Sequence, residues 1–164
     1  MIAVRAAQGV RRQVFLITVG GFDTHSNQKA VLPGLFRGLS QSIGAFQTAM
    51  GLIGETERVT GFSHSEFWRT LSSSSAGSDH GWGGHSFYFG GDVIGKDIYG
   101  EMPDLTLEGP DDLGQGRLIP KLAVDQYAGT LAKWFGLTDS EIGLVLPNLN
   151  RFTNRDLGFL NMGA

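Results

Sequence analysis

The chain has 164 residues, of which 41% are hydrophobic and 18% charged, with a net charge of −3 and no cysteine. That composition supplies one domain with a hydrophobic core and is too apolar for a disordered chain. With no basic run longer than Arg11-Arg12, a nucleic-acid partner is not expected, and the missing cysteines exclude disulfides, zinc–thiolate sites and cysteine nucleophiles.

Met1 to Gln13 reads as a short arginine-bearing helix, not as the apolar core of a signal peptide. The compartment expected from the chain is therefore cytoplasmic, unless an export signal precedes Met1. Val14 to Val19 is a continuous β-branched and aromatic run closed by Gly20-Gly21, which predicts a buried strand. It is far shorter than the roughly 20 residues a membrane span needs. Leu32, Leu35, Leu39, Ile43, Phe46, Met50 and Ile53 then step by three and four, the stripe of a long amphipathic helix with Gly54 as its stop. Val59 to Phe62 predicts a second short strand. Strand, helix and strand form a βαβ unit, so parallel pairing and an α/β fold are expected.

Beyond Ser65 the pattern loosens. A Ser/Gly tract, Ser72 to Ser78, leads into Asp79-His80, with Ser72 to Ser75 reading as a flexible loop; His85 to Phe89 reads as a short strand with another near Val93-Ile94. Pro103 to Gly116 is a polar loop carrying the turn signal Pro110-Asp111-Asp112. Helix resumes from Val124 to Phe135 and closes at Gly136. Thr138-Asp139-Ser140-Glu141 fits a capping box for a last helix that Pro147 ends. Without a linker or repeat, residues 1–164 are expected to form a single domain.

All four histidines lie between His25 and His85, each in a loop signature, and three keep company with an acid: Asp23-x-His25, His64-x-Glu66 and Asp79-His80. Acid and imidazole clusters are what zinc or manganese requires when thiolates are absent. Asp23, His25 and Glu66 also follow expected strand ends, where open α/β sheets build their sites. The plain alternative is a set of solvated loop histidines and Asx turns, and for His64 alone that reading leads. Ser65 lacks the Gly-x-Ser-x-Gly elbow of a nucleophile. Arg69 is a candidate contact for an anionic substrate or a structural ion pair, and Trp68 and Trp82 are candidate pocket walls.

Gly20-Gly21-Phe22-Asp23-Thr24-His25, Ser65-Glu66-Phe67-Trp68-Arg69-Thr70 and Gly77-Ser78-Asp79-His80-Gly81-Trp82-Gly83-Gly84-His85 follow one another in an order that resembles domain of unknown function 1501. Tyr99-Gly100-Glu101-Met102-Pro103, Gly116-Arg117-Leu118-Ile119-Pro120, Val124-Asp125-Gln126-Tyr127 and Pro147-Asn148-Leu149 continue the likeness, which runs from about Gln13 to Leu160. That family is grouped with the alkaline phosphatase and sulfatase superfamily. The resemblance implies a parallel-sheet α/β sandwich with two divalent ions at strand ends. It implies Asp23, His25, Glu66, Asp79 and His80 as ligands, with His85 a further candidate. Relatives usually carry Gly where this chain has Trp68. The resemblance also implies an N-terminal half that supplies a further Asp and the nucleophile, together with an export signal and a periplasmic or exported location.

The expected function is a metal-dependent hydrolase domain for phosphate or sulfate esters, with Arg69 binding the substrate anion. This C-terminal part would be completed by an N-terminal half or would form a homo-oligomer. The competing expectations are a non-catalytic metal-binding or interaction remnant, and a metal-free esterase using Ser65 with His64 or His80.

Overall fold

The computed structural model describes residues 1–162. Helix α1 spans Ile2–Ala7, shorter than the expected Met1–Gln13, and the chain leaves it through Gly9 at φ +71°. Helix α2, Gln28–Leu52, follows the expected stripe closely. Leu32, Leu35, Leu39, Ile43 and Phe46 are half-buried and Met50 is buried, while most positions between them are exposed. Gly54, at φ +70°, supplies the left-handed turn that lets the chain leave α2.

The expected parallel-sheet α/β sandwich does not form. The described residues hold two antiparallel sheets of two strands each. In the first, β1 (Thr60–Phe62) pairs with β4 (Tyr88–Gly90), with Gly61 opposite Phe89. In the second, β2 (Trp68–Ser74) pairs with β3 (Gly77–Gly81), with Arg69 opposite His80 and Ser74 opposite Gly77. The βαβ unit fails at its first member. Val14 to Val19 is not a strand, because no other strand runs beside it among the described residues. A strand is held by its ladder partners, and apolar content cannot replace them. Leu16 is 93% exposed and Ile17 79%, so neighbouring side chains are exposed on both sides of the run.

The expected loop Ser72 to Ser75 is instead mostly strand, with Ser72 to Ser74 belonging to β2. The Ser72 to Ser78 tract forms the tip of the β2–β3 hairpin, reversed through Ser75 at φ +58°. Serine carries no apolar alternation, so only the turn could have signalled the hairpin.

The C-terminal half follows expectation more closely. Helix α3, Val124–Trp134, ends before Gly136 at φ +96°. Helix α4, Asp139–Val145, has the expected capping box: the Thr138 N–H donates to Glu141 Oε2 at 2.8 Å, and the Glu141 N–H donates to Thr138 Oγ1 at 3.4 Å. Pro147 opens a short 3₁₀ segment, Pro147–Arg151. The core lies here and under β4. Ile142, Leu149, Phe159 and Leu160 are buried, and Tyr88 stacks on Phe159 with ring centres 4.0 Å apart. Burial pushes the Tyr88 phenol up to about 12 and raises Tyr127 further. Thr130, wholly buried, is satisfied at both ends: its hydroxyl donates to the Gln126 carbonyl and accepts from the Leu157 N–H.

Candidate metal centre

Asp23, Thr24 and His25 lie on the stretch that leads into α2, and this stretch rests on the tip of the β2–β3 hairpin. The Gln28 N–H donates to the Ala76 carbonyl at 3.0 Å, and the Ser78 N–H donates to the Thr24 carbonyl at 3.4 Å. Gly77 makes the approach possible. A Cβ there would stand 2.3 Å from both the Thr24 oxygen and the His25 carbonyl carbon, which are backbone atoms unable to swing aside. Ser78 and His80, two apart on β3, share the strand face that Arg69 also occupies; Ser78 is buried beside the Thr24 backbone and His80 stands exposed further along. Asp23, His25 and His80, from segments more than 50 residues apart, thereby meet.

Their ligand atoms form a tight triangle. His25 Nε2 lies 2.9 Å from Asp23 Oδ1 and 3.2 Å from His80 Nε2, and His80 Nε2 lies 2.9 Å from Asp23 Oδ1. Asp79 stands behind, its Oδ1 3.2 Å from His25 Nδ1. In the neutral ring that donates Nδ1–H to Asp79, Nε2 is a bare lone pair facing a carboxylate oxygen. A proton or a metal cation between them resolves the contact. A tetrahedral ion with bonds of about 2.0–2.1 Å separates its ligand atoms by about 3.3 Å, close to the triangle's edges. Two imidazoles and one carboxylate are also the donor set of hydrolytic zinc, with Asp79 placed as the carboxylate that orients a ligating histidine. The residues fit a divalent ion.

The electrostatics agree. The His80 hydrogen bond lowers the Asp23 carboxyl below its ordinary range. Arg69 and the charges of His25 and His80 act the same way, and desolvation opposes them. Arg69 Nη1 donates to Asp23 Oδ1 at 2.5 Å, and the Phe67 ring stacks on His80 at 3.8 Å with 10° between planes. The three ligand side chains are about half exposed, so water and a small solute reach them.

The family of proteins of unknown function DUF1501 matches residues 1–147. The chain belongs to it. No curated protein and no solved structure matches the chain.

In this DUF1501 chain the expected ligands divide into two groups. Asp23, His25 and His80 converge, with Asp79 in the second rank. Glu66 is exposed and lies outside the triangle, and His85 sits elsewhere, its Nε2 3.2 Å from Met102 Sδ. His64 is exposed. Ser65 donates its hydroxyl to the Phe67 carbonyl at 2.8 Å. Trp68 opens β2 opposite Gly81, and its indole lies against Gly84, where a Cβ would stand 2.3 Å from the ring. Trp82 is exposed.

Sequence reasoning missed Phe67 as the backing of His80, Ser78 and Gln28 as partners behind the ligands, and Gly77 as the seat of the Thr24–His25 backbone. The one available signal was the hairpin, since pairing Arg69 with His80 puts both on one face. Among the described residues, no helix is long and apolar enough to cross a membrane.

Proposed function

We propose that this chain carries a divalent-metal centre used in hydrolysis of phosphate or sulfate esters, with Asp23, His25 and His80 as ligands and Asp79 as the orienting carboxylate. The observation that carries the reading is the meeting of Asp23 Oδ1, His25 Nε2 and His80 Nε2 within 3.2 Å. The ester class, and the place of the family in the alkaline phosphatase and sulfatase superfamily, rest on the motif resemblance. Zinc or manganese suits imidazole and carboxylate donors. A bound ion would polarise an ester oxygen and lower the pKa of a coordinated water.

The chain's own residues do the rest. Asp79 holds His25 in the tautomer that presents Nε2, Phe67 fixes the plane of His80, and Arg69 fixes Asp23. Ser65 is engaged with the Phe67 carbonyl, so in this reading the nucleophile would be a water activated by a bound ion or a group from a further protein segment.

A second reading is metal binding without hydrolysis. It draws on the half-exposure of the three ligands, because catalytic charge stabilisation gains from a water-excluded site. A panel of aryl phosphate and aryl sulfate esters, offered to the zinc- and manganese-loaded chain with and without chelator, separates the two. Turnover abolished by chelator and by His80→Ala supports hydrolysis. Stoichiometric metal with no turnover of any ester leaves the binding reading in place and removes the hydrolytic one.

A further inference from the structure

We propose that Arg69 is a positioning residue that holds the Asp23 carboxylate toward the two histidines, and that it does not contact a substrate anion. The guanidinium is committed within the protein on all three nitrogens. Nη1 donates to Asp23 Oδ1, Nε donates to Ser78 Oγ at 3.2 Å, and Nη2 donates to the Ser78 carbonyl. The Arg69 side chain is only 18% exposed beside an Asp23 that is 54% exposed. An anion-binding arginine turns its fork toward the solute, and this one turns it inward.

The anchor behind the fork is firm. Ser78 is 4% exposed, and its hydroxyl also meets the Gln28 side-chain amide at 3.0 Å. Gln28 is the first residue of α2 and is fixed to the hairpin tip by its own N–H. A continuous chain of hydrogen bonds thus runs from α2 through Ser78 and Arg69 to the ligand oxygen. The planar guanidinium spans Asp23 and Ser78 at once, and a lysine ammonium on a flexible stem lacks that rigid fork.

Metal affinity serves as a readout only if the metal reading above holds, so the test has a second arm that needs no metal. Arg69→Gln and Arg69→Lys are compared with the native chain in zinc affinity, by competition with a chromogenic chelator. The metal-free proteins are compared in the NMR shifts and hydrogen exchange of the Thr24 and His25 amides. Inorganic phosphate is titrated into the zinc-loaded proteins. Loss of an outer partner costs metal sites about 10–100-fold in affinity, and that loss is expected for Arg69→Gln. Displaced, faster-exchanging Thr24 and His25 amides and phosphate binding unchanged per bound zinc are expected with it, and Arg69→Lys is expected to restore little.

Unchanged zinc affinity with weakened phosphate binding would make Arg69 a substrate contact and overturn the proposal. Full rescue by Arg69→Lys would overturn the requirement for the fork. If the native chain binds no zinc, the metal reading falls while the amide arm still decides: unmoved Thr24 and His25 amides in Arg69→Gln sink the positioning role. Should Arg69→Gln fail to fold, Ser78→Ala keeps the charge and removes an anchor. It is expected to move the same amides, and unmoved amides there count equally against the proposal.

Discussion

Asp23–His25 and the apolar run Val14–Val19 are separated by only three residues, Gly20, Gly21 and Phe22, yet the fold treats them in opposite ways. The polar triplet is pinned: its backbone lies on Gly77, and its side chains meet His80, Arg69 and Asp79. The run, made of residues that favour burial, lies exposed without a strand beside it. Position in this molecule follows from available partners. A stretch with hydrogen-bonding and packing neighbours is fixed whatever its hydropathy, and a stretch of strand-forming residues without a neighbour is not a strand.

The sharpest contrast sets one buried aromatic residue against one exposed aliphatic one. Phe159 is fully buried against Tyr88, so Phe159→Ala is expected to destabilise the chain by about 3–5 kcal/mol, measured by urea unfolding. A loss below about 1 kcal/mol would show that the C-terminal aromatic cluster is not the core. Next in size is Gly77→Ala. The added Cβ would force the Thr24–His25 backbone off the hairpin, at a cost of about 1–3 kcal/mol together with weaker zinc binding. Native zinc affinity in that variant would contradict the seating of the ligand stretch.

A smaller effect is expected at the loop that braces β2, where the Gly116 carbonyl accepts from the Leu71 N–H. Asp112 accepts backbone N–H bonds from Glu108, Gly114 and Gly116, which hold its carboxyl below the ordinary 3.8, with desolvation opposing. A depressed carboxyl contributes fully above its unfolded value, and that contribution is lost as pH falls through the folded value. Unfolding followed from pH 5 to pH 2 is expected to show a shallower acid loss in Asp112→Asn than in the native chain, and an identical slope would remove Asp112 from the account. The smallest change belongs to the run itself. Leu16→Lys is expected to alter unfolding by no more than about 0.5 kcal/mol, and a loss above about 2 kcal/mol would mean that Leu16 is packed in solution.

What the sequence made legible follows the same division. The α2 stripe, the stops at Gly54 and Gly136 and the Thr138 capping box depend on residues three or four apart, and each appears where its pattern puts it. The Val14 to Val19 strand and the parallel sheet depend on partners elsewhere, which no local pattern supplies. The hairpin at Ser72–Ser78 was hidden because serine gives neither alternation nor apolar content. At the site, acid beside imidazole marked Asp23, His25 and His80 as candidates. Separating them from Glu66 and His85 required the register that sets Arg69 against His80, and the absence of a Cβ at Gly77.

In the metal reading, Asp23 and His25 from one segment and His80 from another, more than 50 residues on, build one cation site. Metal content per folded chain, by elemental analysis after loading with zinc or manganese and dialysis, tests it most directly. About one ion per chain is expected, lost in Asp23→Ala and in His80→Ala. A folded native chain that retains none under excess ion, or an Asp23→Ala variant that retains its full share, would contradict it.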